Sequence, residues 1–173
     1  MLDNERLCAR LEIVVKVCDA LAFAHSRGVL HCDIKPQNIM VGAYGQVYVM
    51  DWGFAQLLKG GARGRQVKDI LPNLAEPRDR FVLGTPGYMA PEQARGEDLD
   101  ERADVFAVGA LMHLILSGRP LYAAPTPVEA IRKAQRGDFA RLEPQGGRYH
   151  LPGDLLRIVN RATAPERAQR YPS

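Results

Sequence analysis

The chain has 173 residues, of which 46% are hydrophobic and 25% are charged, and its formal net charge is +3. This composition is that of an ordinary globular domain, which excludes a disordered chain as the default interpretation. The charge is too small to indicate a nucleic-acid-binding protein. The three cysteines form no C-x-x-C pair, so neither a disulfide framework nor a zinc site is expected.

Membrane and targeting signals are also lacking in this sequence. The longest apolar run, Val105 to Leu116, has twelve residues, and a membrane-spanning helix needs about 20. The first ten residues, MLDNERLCAR, have no signal-peptide character. We therefore expect a soluble, cytoplasmic protein with no membrane segment in this chain.

The first third of the chain is predicted to form one long helix and one small hairpin. Apolar residues recur at spacings of three and four from Asn4 to Arg27, and Gly28 follows as a stop signal. Pro36 excludes a helix in the polar stretch that comes next. Two β-forming runs, Ile39 to Val41 and Gln46 to Met50, flank the turn GAYG and predict a hairpin.

The rest of the chain is predicted to be a long irregular segment followed by helices. Residues Asp51 to Pro91 are rich in Gly and Pro, and loops of this length are usually functional. A helix from about Asp100 to Leu116 is apolar nearly all round, which predicts burial. The capping box Thr126 to Glu129 opens a helix to about Arg136, and a last helix is expected from about Gly153 to Ala162.

The polar stretch HCDIKPQN holds the first candidate site. Asp33 and Lys35 are two residues apart on extended chain, so their side chains can face the same way. A carboxylate beside a fixed ammonium suits phosphoryl transfer, because the carboxylate can orient a hydroxyl while the cation steadies the phosphoryl group. Asn38 offers an amide oxygen to a hard cation such as Mg²⁺. The alternative is a polar loop that caps the preceding helix.

Two further motifs follow. Asp51-Trp52-Gly53 comes directly after the predicted hairpin, and its carboxylate can hold a metal while the aromatic ring packs inward. The run GTPGYMAPE, from Gly84 to Glu92, contains two Gly, two Pro and an aromatic residue. That composition predicts a stiff, shaped loop.

In chain order, HCDIKPQN, DWG and APE resemble the protein-kinase signatures H-R-D-L-x-x-x-N, D-F-G and A-P-E. The phrases GTPGYMAPEQARG and ERAQRYPS look most like bacterial serine/threonine kinases of the Hanks type. The resemblance implies an α+β, protein-kinase-like fold, with residues 1–173 forming the mainly helical C-terminal lobe and its small β-hairpin, without the N-terminal lobe. It implies a catalytic loop at 31–38, an activation segment at 51–92 and a helical subdomain at 100–173.

The resemblance also implies catalytic roles. Asp33 would be the catalytic base on a Ser or Thr hydroxyl of a protein substrate, and Lys35 would contact the γ-phosphate of ATP. Asn38 and Asp51 would bind the Mg²⁺ ions that bridge the ATP phosphates. Thr85 would hydrogen-bond near Asp33 and help to place the acceptor hydroxyl.

The remaining implied roles are structural. Glu92 and Arg170 would form a buried ion pair, and Asp104 would anchor the catalytic-loop backbone. His31 and Trp52 would stack in the hydrophobic spine. The residues expected to line the floor of the adenine pocket are Ile39, Met40 and Val41.

The sequence departs from the family pattern in its activation segment. Cys32 replaces the Arg of H-R-D, which in the family often receives an activation-loop phosphate. No Ser, Thr or Tyr lies between Asp51 and Gly84, so we expect that phosphorylation there does not switch the kinase on. Six basic and three acidic residues lie between Phe54 and Gly84, an excess that either attracts acidic partners or belongs to a solvated loop.

The chain also contains no G-x-G-x-x-G-x-V loop, no V-A-I-K lysine and no helix with its Glu partner. Because phosphoryl transfer depends mainly on positioning and electrostatics, we expect this chain alone to have little or no kinase activity. One alternative is a pseudokinase or truncated lobe that acts as a protein-binding module. Another is a basic nucleic-acid binder, which is disfavoured because no aromatic residues are interleaved with the basic ones.

Overall fold

The structure, a computed structural model of the chain, describes residues 2–58, 84–144 and 151–173. Within these ranges it is mainly helical, with two small antiparallel sheets, and this confirms the expected α+β fold class. The helices are α1 (Leu2–Ser26), α2 (Pro91–Ala94), α3 (Arg102–Ser117), α4 (Pro127–Arg136) and α5 (Gly153–Ala162). The strands are β1 (Val29–Leu30), β2 (Ile39–Val41), β3 (Val47–Val49) and β4 (Gln56–Leu57).

Helix α3 is the centre of the fold. Eleven of its 16 residues are buried, as its apolar sequence predicted. The main core forms where α3 meets α1 and α5, and each helix contributes a side chain with no exposed surface, namely Leu116, Val17 and Val159. None of the helices in the described ranges is both long and apolar enough to cross a membrane.

A second core lies on the other side of α3 and supports the segment that precedes α2. Phe106 of α3 packs against Tyr122 and Phe139, with ring centroids 6.2 and 6.1 Å away. Met89 and Ala90 are buried in the same cluster. The end of the GTPGYMAPE run is therefore fixed to α3 by apolar packing.

The predicted hairpin is confirmed. Strands β2 and β3 pair antiparallel, with Ile39 opposite Val49 and Met40 opposite Tyr48. A second sheet, β1 paired with β4, was not predicted; in it Val29 lies opposite Leu57. This pair ties the chain just after Asp51 to the chain just before the polar stretch.

Two local predictions were wrong. Pro36 does not exclude a helix, because a 3₁₀ helix spans Pro36–Asn38 with Pro at its first turn, where a missing N–H costs nothing. The segment from Asp51 to Pro91 is not wholly irregular, since it contains β4 and the 3₁₀ helix Trp52–Phe54. The basic excess, which begins at Lys59, lies outside the described residues, as do residues 145–150.

The predicted helix ends are confirmed by their caps. The Thr126 hydroxyl accepts a hydrogen bond from the backbone N–H of Glu129, 3.3 Å away, at the start of α4. Gly137 ends α4 and Gly118 ends α3, both with positive φ (63° and 75°), which a glycine adopts without strain.

Candidate active site

Asp104, in the first turn of α3, fixes the backbone that leads out of β1. Its buried carboxylate accepts hydrogen bonds from the N–H groups of His31 (2.8 Å) and Cys32 (2.9 Å). Its Oδ2 atom also accepts one from Nε2 of His25 at 2.9 Å. These bonds hold Cys32 at a φ of 65°, a left-handed conformation that costs a non-glycine residue on the order of 1–3 kcal/mol.

The carboxylate of Asp33 lies at the centre of the site and is surrounded by donors. The Thr85 hydroxyl donates to Oδ1 at 2.7 Å, and the Lys35 ammonium donates to Oδ2 at 2.6 Å. Lys35 also donates to the Thr85 hydroxyl at 2.8 Å. The three side chains form a closed triangle, and the facing of Asp33 and Lys35 expected from their spacing is present.

His31 joins this triangle to the hairpin. Its Nδ1 accepts a hydrogen bond from the backbone N–H of Asp33 (3.2 Å), so the ring proton lies on Nε2, which donates to the carbonyl of Met50 at 3.0 Å. The ring meets that of Trp52 edge to face, with centroids 4.6 Å apart. The two rings are therefore in contact but not stacked as expected, and Trp52 is 38% exposed, so the prediction that its ring packs inward was wrong.

The hairpin brings the backbone of Asn38 close to that of Asp51, because the N–H of the preceding residue, Met50, donates to the carbonyl of Asn38 at 2.7 Å. The side-chain nitrogen of Asn38 donates to the carbonyl and the carboxylate of Asp33, at 2.8 and 3.1 Å. The amide oxygen is thus the remaining side-chain acceptor of Asn38, and the exposed carboxylate of Asp51 follows the strand that pairs with β2. Within the described ranges no cluster of three His, Cys, Asp or Glu side chains could hold a metal. One amide and one carboxylate oxygen do fit Mg²⁺, which binds few protein groups and takes other ligands from water or phosphates.

The hairpin residues face two ways. Ile39 packs against the main core and shares a face of β2 with Val41, which is 49% exposed, whereas Met40, 50% exposed, lies on the opposite face. The three residues therefore do not form the one floor that had been expected. Met40 lies opposite Tyr48, which is also exposed, so an apolar surface covers this face of the hairpin. The assignment of this surface to an adenine remains a prediction.

The Glu92–Arg170 pair joins α2 to the end of the chain. The Arg170 guanidinium donates to both carboxylate oxygens of Glu92, at 2.6 and 2.8 Å, and both residues are buried. The expected buried ion pair is present, and it holds in place the helix that follows the GTPGYMAPE run.

Sequence reasoning missed Gln93. Its side-chain nitrogen donates to the carbonyl of Cys32 at 2.6 Å, in a buried contact between α2 and the stretch that carries Asp33. The only signal in the sequence is that Gln93 directly follows the A-P-E run. Burial, and after it the Asp104 carboxylate, raises the pKa of the Cys32 thiol well above its usual range, so this cysteine is not a reactive nucleophile.

A central apolar helix, a hairpin between the two acidic motifs, and a carboxylate held by a lysine and a threonine define the protein-kinase-like class. Comparison with known proteins agrees. The protein kinase domain family matches residues 5–151, and the chain belongs to that family.

Its relatives include bacterial serine/threonine kinases. The chain is 34% identical over 161 residues to the serine/threonine-protein kinase PknB of Mycobacterium tuberculosis (strain ATCC 25177 / H37Ra), covering 93% of this chain and 24% of PknB. It is 28% identical over 171 residues to the serine/threonine-protein kinase PknD of Protochlamydia amoebophila, covering 96% of this chain and 17% of PknD. The chain thus spans about a quarter or less of the length of these relatives.

Proposed function

We propose that this chain is the C-terminal catalytic lobe of a serine/threonine protein kinase, which transfers the γ-phosphate of ATP to a Ser or Thr hydroxyl of a protein substrate. In this proposal the catalytic loop is 31–38, the activation segment 51–92 and the helical subdomain 100–173 of a partial domain. The observation that carries it is the triangle of Asp33, Lys35 and Thr85, supported by the family and by the serine/threonine kinases among the relatives.

Each member of the triangle has a separate task. Asp33 accepts the proton of the substrate hydroxyl at a carboxylate oxygen, and Thr85 keeps that carboxylate oriented through its 2.7 Å hydrogen bond. The ammonium of Lys35 has three N–H donors, of which two are used by Asp33 and Thr85. The third can stabilise an oxygen of the transferred phosphoryl group.

Two oxygen ligands are proposed for magnesium, the amide oxygen of Asn38 and the carboxylate of Asp51. Bound Mg²⁺ supplies positive charge that neutralises the phosphate oxygens during transfer. The exposed side chain of Met40 is proposed to lie beneath the adenine ring.

The 173 residues contain neither a Gly-rich loop nor the strand lysine of the family pattern. We infer that the chain alone has little or no activity, because its sequence lacks the elements that cover and position the ATP phosphates in the family. A cytoplasmic location and a role without nucleic acid belong to the same proposal. The alternative, a pseudokinase or protein-binding lobe, predicts no Mg²⁺-dependent binding of ATP.

The test measures transfer of labelled phosphate from Mg-ATP to a generic protein acceptor, using the longest reading frame that contains this chain. Asp33→Asn should lower the rate at least about 100-fold, because a positioned general base contributes 10²–10⁴-fold. The matched control is Asp154→Asn, since Asp154 is an exposed carboxylate remote from the triangle; its rate should stay within about twofold of the unmodified protein. Equal rates for Asp33→Asn and the control would refute the proposal.

A further inference from the structure

The backbone on both sides of Cys32 is held by side chains from two different helices. Its N–H group donates to Asp104 of α3 at 2.9 Å, and its carbonyl accepts from Gln93 of α2 at 2.6 Å. Gln93 is 5% exposed and Cys32 is 4% exposed. The peptide group that leads directly into Asp33 is thus fixed by a buried hydrogen bond from Gln93.

Gly84 lies directly against this hydrogen bond. A Cβ atom at Gly84 would come within 2.6 Å of the side-chain nitrogen of Gln93 and 2.8 Å of the Cys32 carbonyl oxygen. Its φ of +111° is also one that other residues rarely adopt. The next residue, Thr85, donates to Asp33, so the backbone that carries Thr85 passes over the Gln93 contact.

We propose that Gln93 is a positioning residue for Asp33. By donating to the Cys32 carbonyl, Gln93 fixes the peptide group that joins Cys32 to Asp33. It also fixes the position at which Gly84 passes close to this bond, and Gly84 leads directly to Thr85, which donates to the Asp33 carboxylate. The effect of Gln93 on catalysis rests on the proposed kinase function. The clamp, by which we mean the hydrogen bond from Gln93 to the Cys32 carbonyl, is a property of this chain whatever its function.

The hydrogen bond from Gln93 to the Cys32 carbonyl needs no phosphate. Residues 52–83 contain no Ser, Thr or Tyr, and Cys32 replaces the arginine of the family signature. The bond from Gln93 to Cys32 joins an uncharged amide to a backbone carbonyl, so it forms without any modification.

The thiol of Cys32 provides the assay. Cys8 and Cys18 are exposed and Cys32 is buried, so the double variant Cys8→Ser/Cys18→Ser leaves one thiol that reacts only when the loop opens. In that background, Gln93→Met keeps the length of the side chain and removes the donor. The buried carbonyl then lacks its partner in the closed state. We expect labelling of Cys32 by a disulfide reagent to become about tenfold faster or more, with a rate that does not change in low urea.

The matched control is Gln135→Met in the same background. Gln135 makes the same kind of bond to the same helix, from its side-chain nitrogen to the carbonyl of Ala94 at 3.0 Å, but it does not touch the catalytic loop. We expect its labelling rate to stay within about twofold of the background. Equal acceleration in both variants, or acceleration that rises with urea as global unfolding does, would overturn the proposal.

A conservative variant adds a readout that a purely structural role would not change. In Gln93→Glu the introduced carboxyl group can donate to the Cys32 carbonyl only when it is protonated. The ratio of its labelling rate to that of the background should therefore fall as the pH is lowered from 7 to 5. The ratio for Gln93→Met should stay constant, and a constant ratio for Gln93→Glu would count against the clamp.

These measurements need no phosphoryl transfer, so a failure of the kinase proposal leaves them interpretable. If Gln93→Met does not fold, Gln93→Glu carries the test through its pH dependence.

Discussion

Replacing Arg170 with methionine measures how far the fold depends on one buried ion pair. All five N–H groups of this guanidinium are used: Nη1 and Nη2 donate to the two oxygens of Glu92, at 2.6 and 2.8 Å. The other three bonds go to the carbonyls of Ala164 (2.7 Å), Arg102 (3.0 Å) and Pro165 (3.0 Å). The substitution would leave the buried Glu92 carboxylate without a partner and would remove the hydrogen-bond donor from three carbonyls.

The expected loss of stability follows from the unpaired charge of Glu92. Breaking a buried ion pair by removing one partner costs about 3–5 kcal/mol, and the three carbonyls place Arg170→Met toward the upper end of that range. Arg170→Lys should recover only part of the loss, because lysine offers three donors where five acceptors are present. The control is Arg157→Met: Arg157 and its partner Asp154 are 80% and 82% exposed, and exposed pairs contribute about 0–1 kcal/mol.

Urea unfolding followed by circular dichroism measures these differences. With a urea dependence of about 2 kcal/mol per molar, a loss of about 4 kcal/mol lowers the midpoint by about 2 M. The double variant Glu92→Met/Arg170→Met should be more stable than Arg170→Met alone, because it no longer buries an unpaired carboxylate. The reasoning fails if Arg170→Met lowers the midpoint no more than Arg157→Met, or if the double variant is the least stable of the set.

Three further substitutions test other features by the same unfolding assay. Among the described side chains, the Tyr122 hydroxyl is the one buried polar group without a hydrogen bond. Tyr122→Phe should therefore be neutral or stabilise the fold by up to about 1 kcal/mol. A clear loss of stability would show that the hydroxyl does have a hydrogen-bond partner. Gly109→Ala should destabilise the fold, because the added Cβ would lie 2.8 Å from Thr163 and 2.9 Å from Ala162, where α3 crosses α5. This clash should outweigh the preference of alanine over glycine in a helix, which is about 1 kcal/mol. A gain in stability would contradict this close approach. Burial lowers the pKa of His113 below its ordinary value of 6.5, so the unfolded chain binds the proton more readily and the free energy of unfolding falls as the pH drops below about 6.5. His113→Asn should remove that part of the pH dependence between pH 7 and 5, and an unchanged profile would assign it to other groups.

The helices could be predicted from the sequence because their signals are local. The capping box at Thr126 and the glycine stops at Gly118 and Gly137 lie within a few residues of the ends that they define. The pairing of β1 with β4 could not be predicted, because each strand has two residues and shows no alternation. Val29 pairs with Leu57, and the 27 residues between them contain the whole hairpin.

In the candidate site, too, the contacts between residues close in sequence could be predicted and the distant ones could not. Asp33 and Lys35 could be placed together because they are two residues apart on extended backbone, and Asn38 and Asp51 flank one short hairpin. Gln93 was missed because its partner is a backbone carbonyl 61 residues away, and a carbonyl leaves no trace in the sequence.

Helix α2 is the element on which this site depends most, although it is only four residues long. A helix of one turn has no stability of its own, because nucleation is unfavourable. It stays in place through Glu92, which is bound to Arg170, and through Ala94, which is buried in the second core. Gln93, between these two anchors, then reaches the Cys32 carbonyl. The geometry at Asp33 therefore depends on Arg170, near the C-terminal end of the chain, because Arg170 holds the short helix that carries Gln93.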